Sequence, residues 1–251
     1  YFVHPAGGHV LCYRELAQSM SGHFHAFQAP GLSHDGPPLD EVPALAAHYL
    51  AALRQHQPQG PYRLGGWSSG GTIAFEMARQ LEAEGEQVAC LALLDTPAPH
   101  AGEVRAPGPR QLLQWFLQDL EAPLSAERLV QIQTQDLTLA EALALLHDQG
   151  LARHLDARAL QAVHAVFSAT VSACQRYRPG PVGLNAPLLV LQASEGEVAE
   201  FAGHPDAHRS DWGWRTYAAG RLRSLRVPGS HYSLFKPPQL EGVAALLQTP
   251  F

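Results

Sequence analysis

Tyr62-Arg63-Leu64-Gly65-Gly66-Trp67-Ser68-Ser69-Gly70-Gly71-Thr72 decides the fold. A strand-like run, Tyr62 to Gly65, meets a helix-like run, Thr72 to Glu84, with Gly66-Trp67-Ser68-Ser69-Gly70 between them. A strand that turns straight into a helix forces its central residue into strained dihedrals and tolerates no bulk two positions to either side. Gly66 and Gly70 stand at those positions. Ser68 is therefore expected as a presented nucleophile. The first N–H groups of the helix, that of Ser69 among them, should point to the space where an oxyanion would form.

Outward from this turn, strand-like and helix-like segments alternate. Tyr1 to Val3, Phe24 to Gln28 and Val88 to Leu94 read as strands, and Tyr13 to Met20 and Glu41 to His56 as helices. That is the rhythm of a parallel sheet. Val88-Ala89-Cys90-Leu91-Ala92-Leu93-Leu94 has no polar alternation, so both of its faces should be buried. After Asp95 the rhythm stops. A linker from Pro97 to Pro109 leads into a stretch with helical periodicity only, in which Leu112, Leu113, Phe116, Leu117 and Leu120 share one face. Leu139, Leu143 and Leu146 share a second face, and Val163, Val166, Phe167 and Val171 a third. Strands resume at Pro187 to Gln192 and Leu222 to Val227, and a helix from about Pro238 to Leu247 closes the chain. The expectation is one α/β domain over residues 1–251, a mostly parallel central sheet with flanking helices and a helical lid insertion at about 100–183.

A serine hydroxyl needs a base within hydrogen-bond reach and a carboxylate to orient that base. In folds of this kind the order is serine, acid, histidine, with the last two at the carboxyl ends of later strands. Of 14 histidines, His231 follows the final strand, in Val227-Pro228-Gly229-Ser230-His231-Tyr232. It is the expected base. Two carboxylates compete for the acid: Asp95 ends the strand after the Ser68 helix, and Glu195, with Glu197 nearby, ends the next. Asp95 is favoured, because a carboxylate has little structural reason to end so apolar a strand. A second oxyanion donor is expected from the glycine-rich loop after the first strand, His4-Pro5-Ala6-Gly7-Gly8, at the Ala6 N–H. His204, Asp206 and His208 lack a second ligand cluster, so no metal is expected.

The 251 residues are 46% hydrophobic and 16% charged, enough for one sizeable core. A formal charge of −6, with Lys236 the only lysine, argues against nucleic acid or an anionic membrane as partner. Cys12, Cys90 and Cys174 are odd in number and widely spaced, which fits buried free thiols in a reducing, cytoplasmic compartment. Neither a signal peptide nor a membrane span is expected. The chain begins at Tyr1, already strand-like, as a piece of a longer polypeptide would.

Four stretches together closely resemble the thioesterase domains of nonribosomal peptide and polyketide synthetases, members of the α/β-hydrolase superfamily. They are Phe2-Val3-His4-Pro5-Ala6-Gly7-Gly8, Gly65-Gly66-Trp67-Ser68-Ser69-Gly70-Gly71, Leu93-Leu94-Asp95-Thr96 and Val227-Pro228-Gly229-Ser230-His231-Tyr232. The resemblance covers nearly the whole chain and is loose in the helical insertion. It implies an α/β-hydrolase fold whose serine accepts an acyl or peptidyl chain from the phosphopantetheine thiol of a carrier protein and releases it by hydrolysis or macrocyclisation. No cofactor is bound by the domain itself. The family places its acid where Asp95 stands, which favours Asp95 over Glu195. The insertion is expected to act as a lid, with Trp115, Phe116 and Phe167, together with Trp67, facing the acyl chain. The alternatives are a stand-alone editing (type II) thioesterase, a general serine esterase, and a catalytically silent binding module.

Overall fold

The computed structural model describes residues 1–32, 36–100, 102, 107–120, 139–141, 144, 157–180, 183–196, 201 and 204–249. Leu143, Leu146 and Glu197 lie outside the described residues, as does 121–138 of the expected insertion. In chain order the elements are β1 (Phe2–Val3), α1 (Arg14–Ser19), β2 (Ala26–Phe27), α2 (Val42–His56), β3 (Tyr62–Trp67), α3 (Ser69–Ala83) and β4 (Val88–Leu94). They continue with α4 (Pro109–Asp119), α5 (Ala157–Arg176), β5 (Leu188–Glu195), β6 (Leu222–Ser230) and α6 (Gln239–Gln248). The six strands form one sheet in the order β2-β1-β3-β4-β5-β6, and every neighbouring pair is parallel. All strands therefore end at one rim. Residues that follow β1, β3, β4, β5 and β6 meet there without being near in sequence.

Each strand feeds two cores because successive side chains point to opposite faces. Leu91 and Leu93 of β4, with Leu188 and Val190 of β5, join a core made with α2, α3 and the end of α5. Ala92 and Leu94, with Leu189 and Leu191, join a second core under α1 and α6. The apolar runs of β4 and β5 are thus explained by burial on both sides. α6 contributes Leu240, Val243, Ala244 and Leu247, one stripe at helical spacing. α2 contributes Leu45, Ala46, Tyr49, Leu50 and Leu53 to the first core.

A third cluster lies at the strand rim: Leu113, Phe116 and Leu117 of α4 meet Leu160, Val163, Phe167 and Val171 of α5, and Ala6 sits among them. Each such large side chain removed from water contributes about 1.5–3 kcal/mol, so these helices are held directly on the loop after β1. Three strands run beyond their expected ends, β3 to Trp67, β5 to Glu195 and β6 to Ser230. β6 tolerates Pro228 and Gly229 because it is the edge strand among the described residues, where a missing N–H breaks no ladder on its outer side. Its pairing with β5 shifts register between Ala193 and Glu195.

Candidate active site

Ser68 stands alone between β3 and α3, with φ 58° and ψ −134°. A left-handed backbone is costly for a serine and persists only where the surroundings force it. The forcing is visible in the glycines. A Cβ on Gly66 would come within 2.2 Å of the Gly70 backbone, and one on Gly70 within 2.4 Å of the Val3 carbonyl oxygen and 2.5 Å of that of His4. Two neighbours of the turn then clamp it. The Ser68 N–H donates to the Leu94 carbonyl at 3.0 Å, and Thr96 Oγ1 donates to the Ser68 carbonyl at 2.9 Å. The turn is thereby tied to both sides of Asp95.

Asp95 directly follows β4, itself at φ 46°. Its N–H donates to the Leu191 carbonyl at 2.6 Å, and its Oδ1 accepts the Ala193 N–H at 2.8 Å. The remaining oxygen, Oδ2, lies 2.7 Å from Nδ1 of His231. Both side chains are buried. Since a carboxylate only accepts, Nδ1 carries a proton, which leaves Nε2 as the ring nitrogen available to act as base. Glu195, the other carboxylate weighed from sequence, accepts the Gly229 N–H at 3.2 Å instead. It braces the base of the His231 loop. The His231 ring lies 4.7 Å from that of Trp67, the neighbour of Ser68, tilted by 37° to it. Among the described residues no hydrogen bond joins Ser68 Oγ to Nε2; such contacts are often long before substrate arrives.

The loop after β1 starts against the Ser68 turn, where the Val3 and His4 carbonyl oxygens lie close to Gly70. The Ala6 N–H has no backbone acceptor among the described residues, and Ser69, as the first residue of α3, has no acceptor within its helix. Tyr13 joins the ends of β1 and β3: its hydroxyl donates to the Val3 carbonyl at 2.7 Å and accepts the Trp67 N–H at 3.0 Å.

Two cavities open beside His231 and Trp67. One, of about 450 Å³, is lined by Asp95, Gln192, Glu195, Trp212, His231 and Tyr232. The other, of about 390 Å³, is lined by Pro5, Gly7, Trp67, Asp119, Tyr232 and Phe235. Trp67, itself buried, lines the second cavity, whereas Phe116 and Phe167 are wholly buried against each other with ring centroids 5.5 Å apart. Trp115 packs at the edge of that cluster. None of these three lines either cavity.

Sequence reasoning missed Tyr13, Thr96 and Gln192. Tyr13 reads only as a helix start, and Thr96 only as part of a turn. The Gln192 side chain is buried in the first cavity with no partner among the described residues, and its one signal is a carboxamide ending an apolar strand. His204 donates from Nε2 to the Ala98 carbonyl at 2.9 Å and accepts the Asp206 N–H at 3.2 Å. Among the described residues no three metal-ligating side chains gather. Cys12, Cys90 and Cys174 carry thiols rather than disulfides. Burial pushes Cys12 up to about 12 and Cys90 up to about 11, so both stay protonated. No described helix is long and apolar enough to cross a membrane.

Known proteins share this architecture. A four-domain nonribosomal peptide synthetase bound to AMP and glycine superimposes with a TM-score of 0.80 at 29% identity, over 98% of this chain and 19% of that one. The Vlm2 thioesterase domain has the same fold, with a TM-score of 0.69 at 24% identity over 98% of this chain and 93% of that one. In sequence, atromentin synthetase of Tapinella panuoides is 26% identical over 93% of this chain. The dimodular nonribosomal peptide synthase of Bacillus subtilis (strain 168) is 26% identical over 98%. The chain spans 25% and 10% of the length of these two synthetases. The family model described as "Thioesterase domain" matches residues 1–250, and the chain belongs to that family.

Proposed function

We propose that this α/β-hydrolase domain releases an acyl or peptidyl chain from a phosphopantetheinyl carrier protein at the end of a nonribosomal peptide or hybrid polyketide assembly line. In this reading Ser68 is the nucleophile, His231 the base and Asp95 the group that orients it. The observation that carries it is the buried 2.7 Å contact between Asp95 and His231 beside the strained Ser68 turn. The length of the related synthetases supports a carrier domain in the same polypeptide. The stretch at about 100–183, with α4 and α5, is read as the lid of one domain spanning 1–251. No cofactor takes part in the reaction.

His231 Nε2 takes the proton of Ser68 as Oγ attacks the thioester carbonyl carbon. The carbonyl oxygen becomes an oxyanion held by the N–H groups of Ala6 and Ser69. The carbon–sulfur bond breaks, and the imidazolium returns its proton to the departing thiolate. In the second half His231 deprotonates water, or a hydroxyl or amine of the bound chain, as it attacks the acyl carbon; the imidazolium then returns that proton to the departing Ser68 Oγ, and a free acid or a ring is released. Asp95 stabilises the imidazolium in both halves.

Ser68→Ala tests the reading. Turnover of a carrier-bound or N-acetylcysteamine thioester should vanish, and a fluorophosphonate that labels the parent at Ser68 should leave the variant untouched. Undiminished turnover in Ser68→Ala would overturn the nucleophile.

A further inference from the structure

His4 is wholly buried, and neither the proposed base nor the proposed acid touches it. Its two ring nitrogens are nonetheless both engaged. Nδ1 lies 2.6 Å from the carbonyl oxygen of Pro5, and Nε2 lies 2.6 Å from the hydroxyl of Tyr49 on α2. A carbonyl only accepts, so Nδ1 carries the proton. Nε2 is then the acceptor of the Tyr49 O–H. The bonds run in one direction, from Tyr49 through the ring to the Pro5 carbonyl.

The Pro5 carbonyl also accepts the Gly8 N–H at 3.0 Å, so both of its lone pairs are used. The peptide unit joining Pro5 to Ala6 is trans, and the C=O and N–H of a trans peptide point in opposite directions across one rigid plane. Fixing the carbonyl inward therefore fixes the Ala6 N–H outward. We propose that His4 and Tyr49 are positioning residues, a strut from α2 that holds the Pro5–Ala6 peptide with its N–H turned to the oxyanion.

The inference rests on the proposed reading of Ser68 as the nucleophile. Two further observations support it. The strut is anchored, since Tyr49 is buried in the first core and stacks on Phe27 with centroids 5.2 Å apart. The tautomer is stable, since burial holds His4 down to about 4 and the ring stays neutral through the physiological range.

His4→Leu, His4→Asn and Tyr49→Phe test it by three measurements: kcat and KM on an N-acetylcysteamine thioester, the second-order rate of phosphonylation of Ser68 by a fluorophosphonate, and the urea unfolding midpoint. Losing a well-placed oxyanion donor lowers kcat by about 10²–10³. His4→Leu should lose about 10² in both kcat and phosphonylation rate with KM nearly unchanged. His4→Asn, which can place an amide N–H where Nδ1 stood, should recover to within roughly fivefold of the parent, the worth of about one neutral hydrogen bond. Tyr49→Phe should fall between them. A folded His4→Leu protein with parental kcat and phosphonylation rate overturns the strut. Should His4→Leu not fold, Tyr49→Phe decides, and unchanged kcat there overturns it equally. Failure of the underlying reading looks different, because the parent itself would then not be labelled at Ser68.

Discussion

Asp95 and His231, 136 residues apart in the chain, are joined by a contact of 2.7 Å with both side chains out of solvent. Only a sheet whose strands all end at one rim brings them together, since Asp95 follows β4 and His231 follows β6. Asp95→Asn would put an amide beside Nδ1 and favour the wrong tautomer. It should lower kcat on a synthetic thioester by about 10³–10⁴. Glu195→Gln keeps an oxygen for the Gly229 N–H and should cost less than about tenfold. The two variants assayed side by side decide between the carboxylates, and a reversed order would move the acid.

The glycines of the turn should resist the smallest enlargement. In Gly70→Ala the new methyl meets the carbonyl oxygens of Val3 and His4, backbone atoms that cannot rotate away. Loss of at least about 2 kcal/mol of stability is expected, read as a lower urea midpoint. Gly242→Ala is the control, because a Cβ there meets nothing within 4 Å. It should be neutral or slightly stabilising.

Tyr13→Phe removes a hydroxyl that serves two buried backbone groups, the Val3 carbonyl and the Trp67 N–H. Leaving them unpaired should cost about 1–3 kcal/mol. Amide exchange at Trp67 should quicken more than at the centre of β4, which separates a local loosening from global destabilisation.

The buried neutral state of His4 also gives a pH signature. Its folded value, near 4, lies below the 6.5 of an ordinary histidine, so between these values the unfolded chain binds the extra proton. Stability is present in full above pH ~6.5 and is lost as pH falls toward ~4, by up to about 1.4 kcal/mol per pH unit. Burial lowers His9, His100, His164 and His204 in the same direction. The share of His4 is therefore read as the difference in slope between the parent and His4→Asn in urea titrations across that range.

How far the chain could be read follows from range. The alternation of strands and helices was legible because each element declares itself within a few residues: Val88 to Leu94 by unbroken apolarity, Ser68 by the glycines around it. Strand ends were less legible. Pro228 and Gly229 argue locally for a turn, yet β6 continues through them because no described strand pairs with its outer side. Relations between distant residues were least legible. Nothing near Tyr49 in sequence announces that its hydroxyl bonds His4, and nothing near Phe116 and Phe167 tells whether they face an acyl chain or each other. The helical periodicity there is the same in either case.

The dihedrals of Ser68 set a trap for anyone who would make this protein hardier. Glycine adopts a φ of 58° without strain, so any ranking of positions by backbone comfort will nominate Ser68→Gly among its first choices. The resulting chain should melt later and turn over nothing. Durability and work are opposed here at a single α-carbon, and thermal selection of variants without an activity screen would drift toward the silent form.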